Sequence, residues 1–163
     1  MKLIRLAVLS IVILFVLATA MGALLPSAVL VSRAINVNVS KDSVMPYLKD
    51  IHQWKSWVSG MQLPSVIIFS DSNANLGGTL VNITGISNSS VISSWNGRSG
   101  NIQTSTIRVI GDTFQNVTVI QWQFEQKLKW YPWEKFGSIM NDKILGPMME
   151  KNLNNLKLLV EKK

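Results

Sequence analysis

Residues 136–163 read FGSIMNDKILGPMMEKNLNNLKLLVEKK, and the phase of their apolar positions decides how the chain folds. At about 100° per residue, Leu145, Met149, Leu153, Leu156 and Val160 share one helical face, the kind of stripe a helix buries against a sheet. Phe136, Ile139, Met140 and Ile144 share a second face nearly half a turn away, and the change falls at Gly146-Pro147. Proline lacks the helical donor and crowds the preceding turn, so a kink or break is expected there. The second half is then a clamp. The first half covers the open end of whatever is clamped, or faces a membrane, and Met140, Met148 and Met149 supply flexible apolar filling.

What is clamped lies just upstream. After Pro64 the chain runs through VIIF (66–69), GTLVNIT (78–84), SVISSW (90–95), NIQTSTIRVI (101–110) and NVTVIQWQF (116–124), separated by Asn, Asp, Ser and Gly. Short runs rich in β-branched and aromatic residues, punctuated by turn formers, predict an antiparallel meander. In the last run Ile120, Trp122 and Phe124 alternate with Gln121, Gln123 and Glu125, so one face of the sheet is buried and needs a cover. The helix of residues 136–163 is that cover.

Further upstream, Val29, Val31, Ile35, Val37 and Val39 alternate as a first strand. Ser40 caps a helix that begins at Lys41 with Asp42 in its first turn, and Pro46 followed by HQWKSW (52–57) predicts two short helices with a bend. Before the strand, Lys2 and Arg5 precede a segment without charge from Leu6 to Ser32, long enough to cross a hydrocarbon core of about 30 Å. A cleavable signal peptide with Ala18-Thr19-Ala20 near its end is the rival reading, but the apolar run goes on to Pro26, which favours an uncleaved anchor. Lys2 and Arg5 favour a cytoplasmic N-terminus, a bias that Arg33 weakens. Residues 1–27 are thus expected to anchor a single domain, 28–163, on the outer side of the inner membrane.

Composition removes most chemistries. The 163 residues include no cysteine and one histidine, so thiolate chemistry, disulfides, a zinc site and a histidine triad lack parts, and no metal or cofactor is expected. The net charge of +7 is spread along the chain without the aromatic interleaving of a nucleic-acid surface, so no nucleic-acid partner is expected. It suits a surface beside an anionic membrane. Gly77-Gly78 lacks the spacing and lysine of a phosphate loop and reads as a turn. The sequons at Asn38, Asn82, Asn88 and Asn116 are what an Asn- and Ser-rich sequence yields by chance.

The order of elements, the stretch LPSAVLVSRAINVNVSKDSVMPYLKDIHQWKSW (25–57) and the end MNDKILGPMMEKNLNNLKLLVEKK (140–163) resemble the membrane-anchored bacterial members of the SRPBCC superfamily, the START-like or polyketide-cyclase-like proteins. The resemblance implies an α+β helix-grip fold: a curved antiparallel sheet around a long C-terminal helix, two short helices after the first strand, and a deep cavity between sheet and helix. It implies an apolar small molecule or lipid as ligand. It transfers no catalytic residue.

From strand alternation and helix phase, Trp95, Trp122, Phe124, Met140 and Met148 are expected to wall that cavity. The resemblance implies that the tryptophan pair closes the two short helices against the mouth of the grip, so Trp54 and Trp57 read first as packing wedges and are also counted with the ligand-binding set. His52 and Lys55 polarise a ligand carbonyl if both reach the cavity, although no acidic partner for His52 is evident, Asp50 being two residues away. The expected function is membrane-tethered binding. A cyclase- or hydrolase-like enzyme and an envelope interaction module without a ligand are the alternatives. A continuous apolar pocket of about 300 Å³ or more favours binding, convergent titratable groups favour catalysis, and a filled core favours the module.

Overall fold

The computed structural model describes residues 2–97, 100–111 and 117–162. The sequon at Asn116 lies outside them, as does the side chain of Ile139. An N-terminal helix, α1 (Lys2–Ala23), leads after four residues into strand β1 (Ala28–Val37). Helices α2 (Lys41–Lys49) and α3 (Ile51–Trp54) follow, then the meander β2 (Val66–Ile68), β3 (Asn73–Leu76), β4 (Thr79–Ile86), β5 (Ser90–Asn96), β6 (Ile102–Ile110) and β7 (Thr118–Lys127). The chain ends with α4 (Pro132–Gly137), a 3-10 turn (Ser138–Met140) and α5 (Asn141–Glu161).

All strand pairs are antiparallel, in the order β1-β7-β6-β5-β4-β3-β2, so the first strand closes the sheet beside the last. Side-chain alternation puts Thr118, Ile120, Trp122 and Phe124 of β7 on the buried face, with Ile107 and Val109 of β6, Val91 of β5 and Val81 of β4. On that face α5 buries Met149, Leu153, Leu156 and Val160, the clamp stripe of the sequence. This is the α+β helix-grip architecture: a seven-stranded antiparallel sheet packed on a long C-terminal helix.

The expected break at Gly146-Pro147 is not there. Helix α5 runs unbroken through Pro147, and the interruption falls earlier, at Ser138–Met140. The physical reason is local. Pro147 lies on the exposed side of the helix, where water can satisfy the carbonyl that loses its partner. Gly146 is buried because a side chain from the sheet needs the space: a Cβ there would collide with the Arg33 guanidinium. Arg33 occupies an inward-pointing position of edge strand β1, between Val31 and Ile35, where a valine would continue the pattern. It donates from Nε to Glu150 at 2.6 Å and pairs through a terminal nitrogen with Asp142 at 3.0 Å. The hydrogen bond to Glu150 foremost, then the one to Asp142, raises the Arg33 pKa above its ordinary value against the cost of desolvation. Gly146 thus lets two acids, two helical turns apart, hold one cation between them.

Candidate functional site

Five aromatic rings occupy the interior. Trp54 contacts Trp57 (centroids 6.1 Å apart), Trp57 meets Trp122 edge-on (5.6 Å), Trp122 meets Phe124 (5.5 Å), Phe124 meets Trp95 edge-on (5.3 Å), and Trp95 stacks on Trp54 (6.2 Å). The contacts close into a cycle joining α3 and the turn after it to β5 and β7. Each indole N–H has a partner. Trp54 and Trp57 donate to the carbonyls of Leu48 and Tyr47, both at 3.0 Å, while Trp95 donates to Ser93 Oγ (3.0 Å) and Trp122 to Ser105 Oγ (2.8 Å). The two serines sit at inward positions, where a small side chain leaves room for the rings and its oxygen satisfies a buried donor. The corner is tied to α5 as well: Asn152 Oδ1 accepts from Ser59 N (2.8 Å) and Asn155 Nδ2 donates to the Trp57 carbonyl (3.1 Å).

The deep cavity that the resemblance implies is therefore largely filled by these rings. Among the described residues, a cleft of about 430 Å³ lies between sheet and helix at one end of the grip. Its apolar wall is Trp95, Phe124, Leu145 and Met148, and its polar wall includes Asn101, Gln103, Gln126 and Asn141. The amides form a small network in which Gln126 Oε1 accepts from Gln103 Nε2 (2.9 Å) and from Asn141 Nδ2 (3.3 Å). None of the described residues lining the cleft titrates near neutral pH. Strand register fixes which end this is. Ala28 pairs with Lys127 and Val29 with Gln126, Gln126 with Gln103, and Gln103 with Trp95, so the cleft opens where β1 leaves α1. A larger hollow of about 800 Å³ lies outside the grip, over α2 and Val160, lined by Asp42, Tyr47, Asp50 and Gln53, and does not adjoin the cleft wall.

Of the residues expected from sequence, Trp95, Phe124 and Met148 line the cleft. Trp54, Trp57 and Trp122 are fully buried in the ring cycle and do not line it. Met140 is half exposed on the outer surface. His52 has an acidic partner after all: Asp50 Oδ1 accepts from the His52 backbone N–H (2.7 Å) and lies 2.9 Å from its ring Nδ1. Asp50 is the N-cap of α3, and the chain turn at the cap folds the ring back onto it. The pair is exposed and does not line the cleft, and Lys55 lines a separate surface hollow with Lys151, so neither is placed to polarise a ligand there. Sequence reasoning missed the amides. Gln126 was accessible to it, being in phase with Trp122 and Phe124, whereas Gln103 and Asn141 become neighbours only through strand register and helix placement.

No family model matches the chain, and no curated protein matches it. Solved structures do. A START superfamily protein from Mycobacterium smegmatis superposes with a TM-score of 0.61 at 15% identity, covering 82% of this chain and 97% of that one. A norcoclaurine synthase point mutant from Thalictrum flavum, in complex with a transition-state analogue, gives 0.62 at 15% identity over 83% and 95%. The di-domain ARO/CYC StfQ of the steffimycin biosynthetic pathway gives 0.59 at 11% identity, covering 83% of this chain and 51% of that one. At such identities the likeness is one of fold alone, and sheet order and clamping helix agree with it: the chain has the START-like helix-grip fold.

Proposed function

We propose that the chain is a membrane-tethered binding domain, with residues 1–27 as tether and 28–163 as the domain on the outer side of the inner membrane, and that the cleft takes an apolar small molecule or lipid. The observation that carries this reading is the composition of the cleft: one wall of Trp95, Phe124, Leu145 and Met148 faces a cluster of neutral amides. Pockets that bind amphiphiles combine apolar area with a few placed polar groups, and uncharged amides suit an ester, amide or hydroxyl better than a free acid. With no titratable side chain among the described lining residues, the arrangement supports holding a molecule over acid–base turnover. For the tether, α1 is long and apolar enough to cross a membrane, with a mean hydropathy of 2.6 and none of its apolar window buried. A signal sequence near the N-terminus can meet the same criterion, though its apolar core is usually shorter. The unbroken helix up to Ala23 and the four-residue joint to β1 favour the tether.

The filled interior supports a second reading, an interaction module that uses the fold without a ligand. One experiment separates the two. The full chain, extracted from its native membrane, is analysed by mass spectrometry beside Met148→Trp, which fills the cleft. Binding requires a molecule enriched with the wild type and depleted with the variant. Identical co-purified species in both would leave the interaction module.

A further inference from the structure

The segment after β7 reads KLKWYPWEKFGSIMNDKI (127–144), and it carries an apolar stripe that turns outward. Trp130, Trp133, Phe136, Met140 and Ile144 follow one another at three- and four-residue steps and are 39–66% exposed. Tyr131 stacks on Trp133 at 5.0 Å and also contacts Trp130, which holds the indoles in a shared patch. Single exposed apolar residues are ordinary on a soluble surface, but a run of five, two of them tryptophan and four carried on α4, the 3-10 turn and the start of α5, is not.

The location of the stripe says what covers it. Helix α4 packs on the last turn of α1: a Cβ on the buried Gly22 would lie 3.6 Å from Pro132 and 3.8 Å from the Lys135 stem. Lys135 is itself buried, and its ammonium donates to the carbonyls of Leu25 (3.3 Å) and Pro26 (2.8 Å) and to Ser27 Oγ (3.3 Å). The 22 residues of α1 are about 33 Å long at about 1.5 Å per residue, close to the thickness of a hydrocarbon core of about 30 Å. When α1 spans, its last turn lies at the boundary between acyl chains and headgroups. Lys135 and Gly22 pin α4 at that depth, where tryptophan is favoured because an apolar ring meets lipid while the N–H meets water. Lys127, Lys129 and Lys143 are exposed around the stripe, as a surface apposed to anionic headgroups requires.

We infer that residues Trp130 to Ile144 form an interfacial platform that lies in the outer leaflet of the bilayer spanned by α1, and that it sets the cleft mouth at headgroup level. The inference rests on the tether reading and adds the partner surface: a phospholipid bilayer against α4, the 3-10 turn and the first turn of α5. Asn141 of the cleft wall lies within this stretch and Leu145 and Met148 follow it, so an amphiphile leaving the leaflet would have a short path to the cleft.

The absence of cysteine makes the test direct, since any introduced cysteine is the sole labelling site. Full-length chains with Leu14→Cys in α1, Trp133→Cys, Phe136→Cys or Ile144→Cys in the stripe, and Ile86→Cys or Leu158→Cys at exposed positions of the far end are spin-labelled and reconstituted into vesicles of phosphatidylethanolamine and phosphatidylglycerol. Collision rates with oxygen and with a water-soluble nickel chelate report depth. The expected result is deep immersion at 14, shallow immersion at 133, 136 and 144, and full aqueous exposure at 86 and 158. Immersion at 14 with aqueous exposure at 133, 136 and 144 overturns the platform and leaves the tether. Aqueous exposure at 14 removes the tether, and the platform with it. Labels at 133, 136 and 144 that are immobilised without gaining access to lipid-dissolved oxygen also overturn it, because they assign the stripe to a protein partner.

Discussion

The six tryptophans of this chain divide between two clusters in opposite surroundings. Trp54, Trp57, Trp95 and Trp122 close a cycle with Phe124 inside the grip, and Trp130 and Trp133 stand with Tyr131 on the outside. The inner rings have every indole N–H matched to a fixed oxygen. The outer indoles touch Tyr131, stay 62–64% exposed, and belong to a segment that packs on the end of an apolar helix. An indole is amphipathic, and what it contributes depends on which of its two parts the fold satisfies. Inside, the protein satisfies both, and the ring becomes structure. Outside, the protein leaves the apolar part uncovered, and the ring becomes a surface for something else.

The contrast can be broken most severely from inside. Trp122→Ala is expected to destabilise the domain by about 3–5 kcal/mol, as the removal of a large buried ring does. Trp133→Ala should change it by less than about 0.5 kcal/mol, as at an unburied site. Denaturant unfolding of the full chain in detergent measures both, and similar losses would erase the distinction between the clusters. A gentler variant tests the polar half of the inner rings. Ser105→Ala keeps the packing but orphans the Trp122 N–H, at an expected cost of about 1–3 kcal/mol. A cost near zero would mean that water replaces the serine and that the interior is wetter than its packing implies.

Hydrogen exchange compares the helices that carry the two regions. Amides of residues 149–160, clamped on the sheet, are expected to exchange more slowly than those of 136–144, and lipid should slow the second set alone. Equal protection insensitive to lipid would contradict the platform. The smallest effect concerns Gly146. Gly→Ala in a helix ordinarily stabilises by about 1 kcal/mol. Here the new methyl must displace the Arg33 guanidinium, so the gain should fall short of that figure in the wild-type background and be recovered in Arg33→Met. Equal gains in both backgrounds would mean that glycine is not kept for the arginine.

Much of the fold was legible in the sequence because it is periodic. The alternation of Ile120, Trp122 and Phe124 and the stripe Met149, Leu153, Leu156 and Val160 each state which face is buried, and burial follows them. Gly146-Pro147 misled because propensity is local, whereas the glycine answers to Arg33, 113 positions away in the chain, and the proline faces water. The candidate site was legible in part. Trp95, Phe124 and Met148 follow from phase, but the choice between lining a cleft and filling a core depends on ring-to-ring distances that no pattern encodes, so Trp122 could not be told from them, whereas the packing reading of Trp54 and Trp57 agrees with their burial. The His52–Asp50 contact is a cap geometry, invisible until the helix start is fixed. The outward stripe from Trp130 carries the same period as a buried one, and periodicity alone does not say which side of a helix meets protein.

Lys135 deserves a mechanical reading. Joined to the backbone of Leu25 and Pro26, it turns the four-residue joint between α1 and β1 from a hinge into a weld. A domain on a free linker samples all orientations and meets a membrane-dissolved molecule at random. Under the proposed tether, a domain joined at this point has less rotational freedom than one on a free linker, and a tilt of α1 would be passed to the strands that frame the cleft. On that proposal the bilayer would act on the cleft as a lever as well as a reservoir.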